Sequence, residues 1–210
     1  MTEGLLNVFQ PGLRRGAERL PFAPHKRYFY VEHPEEGWKV FLRGCCFIHE
    51  AGHQDPKRFL VVKRYQAGAD TKAWEPPKGQ MEGKDGLAHP RWDILQLLTE
   101  NVKREVEEES KIKNFKSLTY TGLVLQSREK DYPPNTFFQY HVFQAVVSQE
   151  EIQNASAEFE WLNEHPAAFA RLRKDKREKD ALAWYDPRKT QLMGKWSPSL
   201  VIMYLQSISK

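Results

Sequence analysis

The sequence predicts an α+β protein, a mixed sheet between helices, and three features of the chain predict it. Four runs read as strands: "WKVFLRGCCFIHE" (38–50), "KRFLVVKRY" (57–65), "LTYTGLVLQS" (118–127) and "TFFQYHVFQAVV" (136–147). One long segment of good helix formers, "WDILQLLTENVKREVEEESKI" (92–112), lies between the second and third of them. A further helix is expected over "SPSLVIMYLQSI" (197–208), with Ser197 at the cap, Pro198 at the first position and an apolar stripe behind them.

The connecting stretches follow from composition. Residues 1–36 are rich in Pro, Arg and aromatics and read as an N-terminal extension wrapping a domain that runs over 37–210. "AGHQDP" supplies turn residues between the first two strands. "AWEPPKGQMEGKDG" (73–86) has too much Pro and Gly for regular structure and reads as a loop, and "REKDYPPN" joins the third and fourth strands. "AEFEWL" (157–162) reads as a short strand. "HPAAFARLRKDKREKDALAW" (165–184) starts as a helix, its basic run 171–180 being a solvated face or loop.

Bulk properties narrow the function classes. The 210 residues suit one domain with an extension, and a composition 40% hydrophobic argues against disorder. No apolar run approaches the roughly 20 residues of a membrane helix, so no membrane partner is expected. Adjacent Cys45 and Cys46 cannot build a disulfide framework, and no secretory pattern opens the chain; both point to the cytoplasm or another reducing compartment. The formal charge of +4 is compatible with polyanionic ligands without demanding them. The histidines show no zinc-ligand spacing.

The chemistry concentrates in "KREVEEES" (103–110), where Glu105, Glu107, Glu108 and Glu109 crowd one helix. At roughly 100° per residue, Glu105, Glu108 and Glu109 share one face and Glu107 falls on the far side. Leu98, Val102 and Val106 overlap that acidic face, which draws the carboxylates toward a core edge. Anions so placed need a compensating charge. A hard divalent cation such as Mg²⁺ or Mn²⁺ would supply it, and so would Lys103, Arg104 and Lys111. The loop ahead of the helix, "PPKGQMEGKD" (76–85), favours the cation. Gly79 could turn its carbonyl to a metal where a side chain would block the approach, and Lys78 could meet phosphate.

"GQMEGKD…REVEEESKI" resembles the Nudix box, G-x5-E-x7-R-E-U-x-E-E-x-G-U with U a bulky aliphatic residue. Gly79 matches the first glycine; Arg104, Glu105, Val106, Glu108, Glu109 and Ile112 match the second half. "AWEPPKGQMEGKD" is most similar to the corresponding stretch of asymmetric diadenosine-tetraphosphate hydrolases, and "FEWL" (159–162) resembles the family strand that precedes a capping helix. The sequence departs from the pattern in three places. Asp85 stands in for the early glutamate. An insertion around "GLAHPRWDILQ" (86–96) separates it from Arg104, so that counting back from Arg104 puts Gln96 in the glutamate slot. Lys111 replaces the late glycine; it is expected either to be left-handed, at a cost of about 1 kcal/mol, or to let the helix run on to Asn114.

The resemblance implies a Nudix α/β/α sandwich and metal-dependent hydrolysis of a nucleoside diphosphate linked to another group. It implies Glu105, Glu108, Glu109 and the Gly79 carbonyl as ligands of Mg²⁺ or Mn²⁺, with Glu105 as candidate base and Glu108 or Glu109 close behind. Bases outside the box are also open: Glu158 or Glu160, or Glu129 and Asp131. Arg104 is expected to pair with a box carboxylate and fix its rotamer. Lys63 and Arg64 either bind phosphate or serve as edge charges. The implied substrate is a dinucleoside polyphosphate or a capped RNA 5′ end. A diphosphoinositol polyphosphate or a nucleoside triphosphate is the alternative. In another class altogether stands a catalytically weak module that holds a nucleotide or protein partner. The aromatics Tyr28, Phe29 and Tyr30, and Phe137, Phe138, Tyr140 and Phe143, read as core before they read as base platforms. His141 reads as a satisfied histidine before a catalytic one, and the cysteine pair as buried and inert.

Overall fold

A computed structural model describes residues 4–21, 23–53, 55–68 and 71–209 of the protein. Its elements are β1 (Arg14–Leu20), β2 (Ala23–Glu32), β3 (Lys39–Glu50), β4 (Leu60–Arg64), β5 (Trp74–Glu75), β6 (Lys78–Gln80), α1 (Gly83–Ala88), α2 (Ile94–Ser110), β7 (Ser117–Ser127), β8 (Thr136–Val147), α3 (Gln149–Glu164), α4 (Pro166–Arg171), a 3-10 turn (Lys174–Arg177), β9 (Lys179–Trp184) and α5 (Trp196–Ser207). The class is α+β, a sheet flanked by helices, as the sequence predicts. β6 and β8 each pair with β3, and β7 pairs with β8. The chain divides into two compact units interleaved along the sequence: Met1–Gly44, Gly79–Val102 and Val124–His141 form the first, and Cys45–Lys78, Lys103–Leu123 and Val142–Lys210 the second.

In the first unit, β1 and β2 run antiparallel with Arg14 opposite Glu32, and Tyr30 of β2 faces Phe41 of β3. Two strands therefore lie within the stretch read as an extension. The insertion becomes the end of α1, a turn and the first residues of α2. Asp93 and Gln96 cap that helix reciprocally: the Gln96 N–H donates to Asp93 Oδ1 at 2.7 Å, and the Asp93 N–H to Gln96 Oε1 at 2.9 Å. This satisfies two backbone donors that a helix start leaves open, so Gln96 serves the cap in place of the family glutamate. Phe29, Phe41 and Phe138 are fully buried. The Arg43 guanidinium lies 3.9 Å over the Phe138 ring and pairs with Glu129 at 3.0 Å, which occupies one of the candidate bases.

Buried His141 packs edge-on to Phe9 in the same unit. Burial pulls its imidazole down to about 3. The unfolded chain takes up this proton near pH 6.5, while the folded protein refuses it until about 3. Stability therefore falls as pH drops through that window. His141→Leu is expected to flatten the decline of the urea midpoint between pH 7 and 4. An unchanged slope would show that this imidazole does not set the acid limit.

In the second unit, β4 pairs antiparallel with β5 and with β9. Phe47 stacks on Tyr204 of α5 at 3.8 Å, and His49 Nε2 meets the Tyr204 hydroxyl at 2.6 Å. Cys45 and Cys46 are free thiols, fully buried. Three expectations need correction here. Residues 157–162 belong to helix α3: Ile152, Ala155, Phe159 and Leu162 are buried at steps of three and four, a period that six residues are too few to display. Residues 73–86 are not a plain loop but carry β5, β6 and the start of α1. α5 begins at Trp196, so Ser197 lies inside the helix, and its hydroxyl donates to Glu75 Oε2 at 3.0 Å rather than capping the helix.

α2 stops at Ser110, and Lys111 takes the left-handed conformation with φ of 65°. Its Nζ donates back to the Glu108 carbonyl at 2.7 Å, satisfying an open acceptor at the helix end. Burial lowers this ammonium to about 8.

Candidate active site

The box carboxylates split into two groups, both within the second unit. Arg104 gathers the first group, with Nη2 at 2.7 Å from Glu105 Oε1 and Nη1 at 2.8 Å from Glu108 Oε2. Arg173 adds a longer contact of 3.8 Å to Glu108 Oε1. Burial raises the Glu105 carboxyl to about 8; Glu109 and Glu108 push the same way, while Arg104 opposes. Glu105 is thus an acid of near-neutral pKa fixed against its neighbour by one guanidinium.

Glu109 turns elsewhere. Its Oε2 accepts the Lys78 backbone N–H at 2.9 Å and its Oε1 pairs with Lys179 at 2.9 Å. Lys179 also pairs with Glu75, which holds Lys78 Nζ at 2.7 Å. Burial pushes Glu75 up, but Lys78 and Lys179 outweigh it and keep this carboxyl down at about 2. Burial and Glu75 raise Glu109, and Lys179 and Lys78, which pull the other way, do not fully offset them. The loop ahead of the box is pinned at the same place, the Cys46 N–H donating to the Pro77 carbonyl at 2.9 Å. Glu107 points away from both groups and pairs with Lys176 at 3.0 Å.

Beside Glu109 opens a cleft of about 660 Å³. Arg64, Lys78, Lys174, Arg177 and Lys179 line it as cations, Glu75, Glu109 and Glu178 as anions, with Tyr65 exposed at the wall. Of the predicted phosphate binders, Arg64 and Lys78 lie here. Lys63 does not line the cleft; it is half-buried, 3.9 Å from Asp180. Gly79 is the central residue of β6 and belongs to the first unit. Glu158 on α3 pairs with Lys113 at 3.0 Å, Glu160 is exposed on the same helix, and Asp131 is exposed in the turn before β8.

Among the described residues no three Asp, Glu, His or Cys side chains gather as a metal ion would need. A hard cation such as Mg²⁺ is often held through only one or two carboxylates, with water and phosphate completing its shell. Glu105 and Glu108, drawn onto one guanidinium, fit that demand; Glu109 does not join them.

Glu75, Lys179, Lys174 and Arg177 are the residues that sequence reasoning missed. Lys179 sits inside a run that reads as solvated charge, and its partner Glu75 lies 104 positions away, so no local pattern links them. Lys179 is the buried first residue of β9, whose sequence "KDALAW" shows no alternation that would mark it.

No curated protein matches the chain by sequence. Among solved structures, a NUDIX hydrolase from Nitrosomonas europaea is 16% identical with a TM-score of 0.44, over 80% of this chain and 90% of that one. The NUDIX domain of Shewanella oneidensis NrtR, complexed with ADP ribose, is 10% identical with a TM-score of 0.47, over 84% and 94%. A C. elegans Ap4A hydrolase binary complex is 17% identical with a TM-score of 0.42, over 81% and 98%. No helix among the described residues is long and apolar enough to cross a membrane. The family model of the NUDIX domain matches residues 43–185, which span the pinned loop, both carboxylate groups and all the charged residues of the cleft, and the chain belongs to that family of hydrolases.

Proposed function

We propose that the chain is a pyrophosphohydrolase that cleaves a diphosphate linkage in a dinucleoside polyphosphate or a capped RNA 5′ end, using Mg²⁺ or Mn²⁺. In this reading residues 37–210 are the catalytic domain and 1–36 its extension. The observation that carries it is the Arg104 clamp, which holds Glu105 and Glu108 together while burial gives Glu105 a pKa of about 8. A base works best with a pKa near the operating pH. In its ionised form, whose share grows as pH rises toward 8, Glu105 takes the proton of the attacking water as the water oxygen bonds to phosphorus and the bridging P–O bond breaks. Arg104 fixes the rotamers of both carboxylates, and Glu108 with Glu105 would hold the cation. That cation supplies charge neutralisation at the diphosphate oxygens. Lys78 and Arg64 bind the phosphates of the leaving group, and Lys78 with Lys179 keeps Glu75 ionised beside them.

A second reading draws on a separate observation. Glu109 is committed to Lys179, so a module that binds a nucleotide with little turnover is consistent with the site as well. Phosphate-coupled turnover with Mg²⁺ or Mn²⁺ separates the two. The panel holds diadenosine polyphosphates, capped RNA, diphosphoinositol polyphosphates, nucleoside triphosphates and ADP-ribose. Metal-dependent turnover of the first two is expected. Turnover of another class would replace the substrate, and tight binding without turnover of any would establish the module.

A further inference from the structure

The basic run 171–180 is neither a plain solvated face nor structurally loose. Lys174 and Arg177 of the 3-10 turn reach the cleft beside Glu109, where Lys78 and Arg64 already line the wall. The buried anions there are matched by Lys179 and Lys78. Among the described residues Arg64 and Lys174 make no ion pair, and Arg177 donates to the Ala170 carbonyl at 3.2 Å. The rim of the cleft therefore carries positive charge beyond what its own carboxylates use.

Three links fasten this turn to the end of the box helix. Lys111 Nζ donates to the Lys176 carbonyl at 2.5 Å while also holding Glu108 O, Lys176 Nζ pairs with Glu107, and Arg173 reaches Glu108. Lys111 is buried and left-handed, a conformation that costs a non-glycine residue roughly 1 kcal/mol. A glycine would remove that strain but could not reach the turn.

We propose that the turn over 173–177 seats a linear chain of three or more phosphates and that Lys111 is its positioning residue. Lysine and arginine suit phosphate as a point charge and a bidentate fork respectively. The proposal rests on the pyrophosphohydrolase reading and deepens it: the substrate is selected by the length of its phosphate chain.

The test is calorimetric titration of the full chain, free of metal, with inorganic tripolyphosphate and with pyrophosphate. Tripolyphosphate is expected to bind more tightly, and Lys174→Ala/Arg177→Ala to weaken it about tenfold or more, on the scale of a lost charge-assisted hydrogen bond. Arg91→Ala/Lys130→Ala removes the same charge from exposed positions elsewhere and is expected to leave binding within about twofold. Lys111→Gly relieves the backbone yet frees the turn, so KM is expected to rise about fivefold or more with kcat little changed. Equal losses in the two double variants, no preference for tripolyphosphate, or an unmoved KM in Lys111→Gly would overturn the proposal. Failure of the underlying reading looks different: no substrate is turned over, while tripolyphosphate still binds and the Lys174→Ala/Arg177→Ala chain still loses it.

Discussion

Glu105→Gln and Glu108→Gln are each expected to lower kcat at least about a hundredfold with the fold intact. Glutamine keeps the size of the side chain and an oxygen for Arg104, and removes only the ability to carry charge and take a proton. At Glu105 the swap is unusually mild for the fold. Burial already raises that carboxyl to about 8, so the free protein at neutral pH largely holds it in the uncharged form that glutamine imitates. A loss of turnover at unchanged melting temperature would assign the chemistry to the Arg104 clamp. Wild-type rates in both variants would sink the hydrolase mechanism as drawn. Glu109→Gln is expected to lose turnover too, but with a fall in stability, because it breaks a pair with buried Lys179.

Lys179→Met is expected to destabilise the protein by about 3–5 kcal/mol, the largest effect on stability at any single position of the site. Lys179 is 4% exposed, and its partners Glu75 and Glu109 are 3% and 5% exposed. Removing the ammonium leaves two carboxylates out of water with Lys78 as their nearest remaining cation. The pH dependence gives a second readout. Glu75, held at about 2, contributes stability that is present above pH 4.5 and lost as pH falls toward 2. Burial pulls Lys179 down, but Glu109 and Glu75 raise it to about 12, so its contribution is present below pH 10.5 and lost as pH rises through 12. The variant lacks both across the neutral range, and acidifying it from pH 7 to 5 should narrow its deficit, because protonation discharges the stranded carboxylates. Urea midpoints at the two pH values decide the matter: an unchanged midpoint at pH 7 would mean that water reaches the pair and screens it.

What was legible in the sequence was what repeats locally. The strands β3, β4, β7 and β8 follow from runs rich in β-branched and aromatic residues and the helix α2 from a run of good helix formers, and the box was visible because its carboxylates lie within five positions on one helix. The class of the fold followed from their order. The strand expected at 157–162 failed because the helical period of α3 extends on either side of the window that suggested it. The start of α5 shifted because Ser197 answers to Glu75, a partner far along the chain, and not to its own helix. The same distance hid half of the site. Helix geometry placed Glu109 with Glu105 and Glu108 on one face, and Glu109 does stay close enough to raise Glu105, yet its carboxylate pairs with Lys179 and not with Arg104.

Buried Cys45 and Cys46 give the protein a clock of its own. Both thiols sit on β3 with no exposed surface, and burial pushes both well above the usual thiol range, so the reactive thiolate is scarce as well as hidden. A thiol reagent can therefore mark them only in the moments when the strand opens. At low reagent the labelling rate measures how often that opening is populated, and at high reagent how fast it occurs, reporting for this one strand what a melting curve averages over the whole chain.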